Sequence, residues 1–334
     1  MKTTLTLTLA AVLAASTALP VSAEFQTRTI RVSNGVNADH PVGNGVEAMS
    51  ACLTERSGGN MTIAAFWGGA LGGDLQATQA LRSGTQEAVV TSSSPLVGIL
   101  PALGVFDLPF LFANEEEADA VLDGAFGDYV SEMLPEVGLV NLAYWENGFR
   151  NLTNSQRPVT KWEDLEGMKV RVMQNNVFLD TFANMGANAT PMAFGEVYSA
   201  LETHAIDAQE NPFVTIDTSK FYEVQDYLSV TRHAYTPFMV LFSKSIWDTL
   251  SADEQAALRE CAVLGRDAQR AASRELSDQS LQRVKDAGMQ VNEIEPAEQL
   301  RMVEQAQSVY EKHAGEIGVE VVQRIQAELA EIRN

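Results

Sequence analysis

Two arginines sit where arginine is costly. Arg150 lies in the run Gly148-Phe149-Arg150-Asn151-Leu152 and Arg171 in Lys169-Val170-Arg171-Val172-Met173, both apolar and strand-like. A guanidinium among aromatic and β-branched neighbours needs a partner to offset lost hydration. One possible partner is an internal Asp or Glu. The other is a ligand carboxylate, which a planar guanidinium facing a cleft forks through two parallel hydrogen bonds. The residue types leave both partners open. Ser92-Ser93-Ser94-Pro95 follows a strand-like run, at the kind of strand end where open α/β sheets bind ligands. Its hydroxyls suit a polar small molecule, or an ordinary turn before Pro95.

Other chemistry is thinly represented. The four histidines, His40, His204, His233 and His313, have no zinc-protease spacing, and neither a Gly-x-Ser-x-Gly elbow nor a phosphate-binding Walker loop occurs. Gly43-Asn44-Gly45-Val46-Glu47-Ala48 matches a dinucleotide fingerprint. However, Pro41 and several other residues separate it from the preceding strand, and no acid ends the next strand where a ribose partner belongs. It reads as a helix-entry or ligand-lining loop. No cofactor, metal or catalytic residue is expected.

The elements that must hold the arginines alternate. Strand-like Thr29–Ser33 precedes a helix through Val46, Met49 and Leu53 that stops at Gly58-Gly59; then come a strand at Met61–Phe66, a helix at Leu75–Ser83 and a strand at Glu87–Thr91. This β-α-β-α-β order predicts α/β architecture. Asn114 is a natural N-cap for a helix whose first turn holds Glu115, Glu116 and Glu117. Strands are expected at Leu139–Trp145, Lys169–Met173 and Val240–Ser243, and helices at Val177–Met185 and Glu196–Thr203. The Ser251-x-x-Glu254 box should start a helix running to about Ala287, long enough to cross both domains. Glu298–Asn334 is helical in pattern.

Lys2, the apolar Leu5–Leu19 run and Val21-Ser22-Ala23 form a secretory signal, with cleavage expected near Ala23. The run is too short to span a bilayer, which takes ~20 apolar residues. The remaining length, about 310 residues, suggests two domains. The full chain carries a net charge of −21, and loss of Lys2 takes it to −22. Such a surface repels nucleic acid and anionic lipid. Export permits a disulfide between Cys52 and Cys261; two buried free thiols are the expectation taken here.

Several motifs occur in order: Gly72-Gly73-Asp74, Phe106-Asp107-Leu108-Pro109-Phe110-Leu111-Phe112, Trp145-Glu146-Asn147-Gly148-Phe149-Arg150, Lys169-Val170-Arg171-Val172-Met173, Pro191-Met192-Ala193-Phe194-Gly195-Glu196-Val197-Tyr198, Gln209-Glu210-Asn211-Pro212 and Lys220-Phe221-Tyr222-Glu223-Val224-Gln225. Together they resemble the DctP-type solute-binding proteins of tripartite ATP-independent periplasmic (TRAP) transporters over essentially the whole chain after the signal. The resemblance implies a two-domain, type II-like periplasmic binding protein fold, with mixed sheets, crossover hinge strands and a domain-spanning helix. The expected division is 24–147 with 237–276 as domain I, and 148–236 with 277–334 as domain II.

The resemblance also implies a non-enzymatic function, periplasmic capture of a small organic acid by hinge closure and delivery to a small and a large integral membrane subunit. Arg171 matches the family's carboxylate-pairing arginine, Arg150 its second cleft arginine, Asn211 its substrate-binding amide and Phe194 an aromatic wall residue. Asn37, Asp74 and Ser92 match contacts in relatives that bind an amino-bearing sugar acid, and Ser93 and His40 complete the expected ligand set. Some of those relatives carry glutamate where this chain has Ser92. The hydroxyl favours a uronate or aldonate over an amine-bearing acid; a C4-dicarboxylate divided between Arg150 and Arg171 is the alternative.

Overall fold

Apolar runs rich in β-branched residues, separated by amphipathic stretches, dictate alternating strands and helices. The computed structural model describes residues 25–334. It begins β1 (Arg28–Asn34), α1 (Val42–Arg56), β2 (Met61–Phe66), α2 (Asp74–Arg82), β3 (Ala88–Ser92), then α3 (Glu115–Leu122) and α4 (Ala125–Ser131). Strand β4 (Leu139–Asn154) leads into β5 (Lys169–Val172), α5 (Asn176–Asn184), β6 (Asn188–Pro191), α6 (Val197–Glu202), β7 (Ala208–Asn211) and α7 (Phe213–Thr218). The chain returns along β8 (Tyr227–Ser243) and ends with α8 (Lys244–Trp247), α9 (Ala252–Asp286), β9 (Gln290–Glu293), α10 (Pro296–Ile317) and α11 (Val319–Ile332). The expected signal sequence lies outside the described residues. Among the described residues, no helix is long and apolar enough to cross a membrane.

The strands form one continuous mixed sheet, ordered β2-β1-β3-β8-β4-β7-β5-β6, with β9 beside β8. In one half β1 lies parallel to β2 and β3; in the other β5 lies parallel to β6 and β7. The antiparallel pair β4 and β8, 16 and 17 residues long, belongs to both halves. Leu139–Trp145 and the strand-like Gly148–Leu152 run both fall within β4, whereas Val240–Ser243 covers only one end of β8. The polar Glu146-Asn147-Gly148 segment, just past the expected strand end at Trp145, is a register shift inside β4, with Gly148 at φ +111°. Its polar groups are satisfied: Glu146 pairs with Arg274, and the Asn147 amide donates to Thr236 Oγ1 at 3.1 Å. A second shift, between Arg150 and Leu152, displaces Val230–His233 of β8 and places Arg232 at φ +42°. These irregularities sit where the two halves meet, and bulges of this kind bend strands.

Helices cover both faces of each half. In the first, one core joins Ile30, Val46, Met49 and Leu258, and another joins Leu81, Phe106, Phe126 and Leu139. In the second, Val170, Phe178 and Ala208 pack on one face and Leu201, Ile216 and Val284 on the other. The capping box of α9 forms as expected: Glu254 N–H donates to Ser251 Oγ at 3.2 Å and Ser251 N–H to Glu254 Oε2 at 2.8 Å. Along α9, Arg270 and Arg274 pair with Asp119 of α3, and Arg283 pairs with Asp217 of α7. The Asn114 cap of α3 also forms, accepting from Glu117 N–H at 2.8 Å.

The C-terminal helical segment breaks at Gly318, φ +108°, and α11 buries Val321, Val322, Ile325 and Leu329 in the core of the first half. One expectation is corrected: Cys52 and Cys261 are not free thiols but are joined, tying α1 to α9 with Cα atoms 5.4 Å apart. The same two helices explain the dinucleotide-like glycines. A Cβ on Gly45 would stand 2.5 Å from the Trp145 ring, and one on Gly265 would stand 2.8 Å from Gly45 O, so glycine lets α1 and α9 close over Trp145. A Cβ on Gly43 would meet Ala38 O at 2.3 Å.

The crosslink closes a long loop, so joint replacement of Cys52 and Cys261 by alanine is expected to cost ~2–4 kcal/mol in chemical denaturation. The unreduced, unfolded protein should show no thiol towards a thiol reagent; two reactive thiols would contradict the pairing.

Candidate functional site

The strand ends of β1, β3 and β5 meet β4, β8 and the β7–α7 junction around a cavity of about 410 Å³, its mouth included. Arg171 lines it from β5 and is 2% exposed. Its Nε and Nη2 donate to Met192 O at 3.0 and 2.7 Å, while Nη1 is buried with no partner among the described residues. Burial, and secondarily the charge of Arg150, lowers its pKa to about 10 against the pull of Glu210 and Asp74. Arg171 therefore stays charged at neutral pH with an unused donor, an arrangement suited to an incoming anion.

Arg150 has the other kind of partner. Its Nη2 donates to Glu210 Oε1 at 2.9 Å and to Glu210 O at 2.6 Å, and its Nε bonds the second carboxylate oxygen. His233 Nε2 lies 3.1 Å from Glu210 Oε2. Burial opposes the Glu210 charge, but Arg150 and His233 outweigh it, and the carboxyl pKa falls to about 2. Arg150 is not among the cavity-lining residues; it acts on them, since its Nη2 also donates to Asn211 Oδ1 at 3.1 Å. Asn211 Nδ2 donates to Gln209 Oε1 at 2.6 Å, so this lining amide is held from both ends.

Asp74, the first residue of α2, lines the wall and accepts from Thr91 Oγ1 at 2.9 Å. Burial raises its carboxyl pKa, with Thr91 and Arg171 opposing the rise. Ser92 and Phe194 also line the cavity. Three other expected residues do not. Ser93 is buried behind Ser92, its N–H bonded to Pro237 O; Asn37 is exposed on the β1–α1 loop; and His40 is buried beneath the wall, against Thr215. The lining also includes Asn34, Asn147, Met173, Thr215 and Phe238, absent from the expected set. Asn34 ends β1 and Asn147 interrupts β4, and a polar residue at such a break is the signal that could have found both. Tyr235, by contrast, packs edge-on against Phe112 and Phe149.

Several side chains bridge the two halves here. Ser92 Oγ lies 3.6 Å from Met173 Sδ, His40 Nε2 lies 3.3 Å from Thr215 Oγ1, and Asp107 accepts from both Ser94 and Asn175. Burial pushes the Asp107 carboxyl up to about 7, against those two donors. Among the described residues, no cluster of three or more His, Cys, Asp or Glu could hold a metal ion.

Residues 32–316 match the DctP family, described as bacterial extracellular solute-binding protein, family 7. Among solved structures, the chain resembles the sugar acid binding protein of Advenella mimigardefordensis in complex with galactonate, at 42% identity and a TM-score of 0.90, covering 92% of this chain and 99% of that one. It also resembles a TRAP periplasmic solute-binding protein from Sulfitobacter with bound β-D-galacturonate, at 34% identity and a TM-score of 0.85, covering 89% and 98%. The C4-dicarboxylate-binding periplasmic protein of Rhodobacter capsulatus is 30% identical, covering 95% of this chain and 96% of that protein. These matches and the two-halved, hinge-strand architecture place the chain in the DctP family of extracellular solute-binding proteins, the family of TRAP transporter binding components.

Proposed function

We propose that the protein captures a hydroxylated monocarboxylate, of the uronate or aldonate type, in the periplasm and delivers it to the two integral membrane subunits of a TRAP transporter. The charge balance of the cavity carries this reading. Among the described residues lining it, Arg171 is the one basic side chain and Asp74 the one acidic one; the other polar groups are the neutral amides and hydroxyls of Asn34, Ser92, Asn147, Asn211 and Thr215. Arg171 would take the carboxylate, while the amides, hydroxyls and Asp74 would take sugar hydroxyls. A dianion would set a second carboxylate against Asp74 without a second free cation, since Glu210 neutralises Arg150. The galactonate and galacturonate bound by the Advenella and Sulfitobacter proteins support the same class of ligand.

The mechanism follows from desolvation. A carboxylate entering the cavity loses water, and a preplaced guanidinium offsets that loss. A ligand touching residues from both halves favours their closure by its differential affinity, the hinge motion general to periplasmic binding proteins. In this reading residues 24–147 and 237–276 move against 148–236 about β4 and β8, with α11 carried by the first body. Binding would occur without turnover.

A thermal-shift and calorimetric screen of uronates, aldonates and C4-dicarboxylates tests the proposal. An acid at about 100 times its dissociation constant should stabilise the protein by ~2.7 kcal/mol, at one molecule per chain and recovered unchanged. Silence towards every sugar acid, or a dicarboxylate as the tightest ligand, would count against it. Arg171→Ala should lose ~2–5 kcal/mol of binding while leaving the fold intact; near-unmodified affinity would remove Arg171 from the site. Arg150→Ala should instead show first in stability, by ~3–5 kcal/mol, because it strands Glu210 as a buried unpaired charge. Asp74→Asn should raise succinate affinity relative to galactonate by about tenfold or more, since it replaces a carboxyl that a second ligand carboxylate would face with a neutral amide that can donate to it.

A further inference from the structure

Threonines inside these helices have a standard outlet for their hydroxyl hydrogen. Thr78 on α2, Thr181 on α5 and Thr218 on α7 each donate to the carbonyl four residues earlier, at 2.8, 2.7 and 2.8 Å. Thr215, one turn before Thr218, is only the third residue of α7, so the carbonyl four residues earlier belongs to Asn211 of β7 and this outlet is not open to it; its Oγ1 lies 3.3 Å from His40 Nε2. The other ring nitrogen of His40, Nδ1, takes the Val42 N–H at 3.3 Å. An imidazole that accepts at Nδ1 carries its proton on Nε2 when neutral. His40 then donates and Thr215 Oγ1 accepts, so the threonine hydrogen must point elsewhere. No acceptor for it occurs among the described residues, and Thr215, only 2% exposed, lines the cavity.

We infer that His40 is a positioning residue that holds the Thr215 hydroxyl as a fixed hydrogen-bond donor to an oxygen of the bound acid. The inference rests on the reading of this cavity as an acid site. Burial lowers the His40 pKa to about 3, so the ring stays neutral and keeps its donor. The Phe238 ring, itself in the cavity wall, packs edge-on at 5.9 Å and limits rotation of the imidazole. His40 belongs to the first half and Thr215 to the second, so the donor is aimed only when the halves are together. Selectivity for an acceptor oxygen is thereby tied to closure.

Two measurements test this. Imidazole 15N NMR of the unliganded protein at about pH 8, with His40 identified by its loss in His40→Phe or, should that variant not fold, His40→Gln, should show a neutral ring protonated on Nε2, because the Val42 N–H that bonds Nδ1 belongs to the same half as His40 and needs no closure. A ring protonated on Nδ1 would overturn the inference whatever the ligand. In calorimetry with D-galactonate and D-galacturonate, Thr215→Val should lose about tenfold in affinity, and Thr215→Ser should stay within about threefold of the unmodified protein. His40→Phe should also weaken binding, and its combination with Thr215→Val should bind no worse than Thr215→Val alone, because both act through one bond. Full affinity in Thr215→Val, or single losses that multiply in the double variant, would overturn the inference. Failure of the unmodified protein to bind either acid would count instead against the acid reading, and the NMR result would still decide the His40 tautomer.

Discussion

Two guanidiniums buried near each other repel, and neither is stable in a protein interior without compensation. Here the compensation is unequal. Glu210 faces Arg150 with both oxygens, His233 steadies that carboxylate from behind, and Arg150 in turn fixes Asn211. Arg171 has only a carbonyl for two of its nitrogens and nothing for the third. The buried Arg150–Glu210 pair thus absorbs one positive charge into the scaffold and leaves the other, on Arg171, without a carboxylate of its own. A site built this way can be selective because its net charge is set before anything binds.

The proposed closure requires the scaffold to bend without losing that arrangement, and the continuity of β4 and β8 suits it to do so. Both strands carry register shifts at the junction of the halves, and Arg150, Asn147 and Phe238 lie on them. A bend there moves the walls of the cavity relative to each other while the ladder hydrogen bonds in each half persist. Helix α9 runs along the same junction, tied at one end to α1 by the disulfide and towards the other to α7 by Arg283 and Asp217. The bridging contacts Ser92–Met173, His40–Thr215 and Asp107–Asn175 are short-range, so a separation of the halves would break them.

The strongly acidic surface and the cationic site are compatible because they act over different distances. Exposed charges are screened within roughly 10 Å by physiological salt, whereas a guanidinium in a buried cavity is screened far less. An acidic exterior is unfavourable to anions at a distance, while the field of a buried guanidinium such as Arg171 dominates inside the cavity.

Sequence by itself determined the parts governed by local pattern. The α/β alternation, the Asn114 and Ser251 caps and the length of α9 follow from apolar periodicity and capping chemistry, and the ordered motifs identified the family. It also singled out both arginines as residues in need of partners. The partners were decided only by tertiary structure, because Glu210 reaches Arg150 across 60 residues of chain through the pairing of β4 with β7. The same holds for the disulfide, which depends on how closely α1 and α9 pack over Trp145, and for α11, whose apolar stripe fits either half in one dimension. Local pattern likewise ended a strand at Trp145, whereas β4 in fact continues through the polar Glu146-Asn147-Gly148 segment. Its polar groups are satisfied by α9 and β8, elements more than 80 residues away in sequence, and no window along the chain contains them.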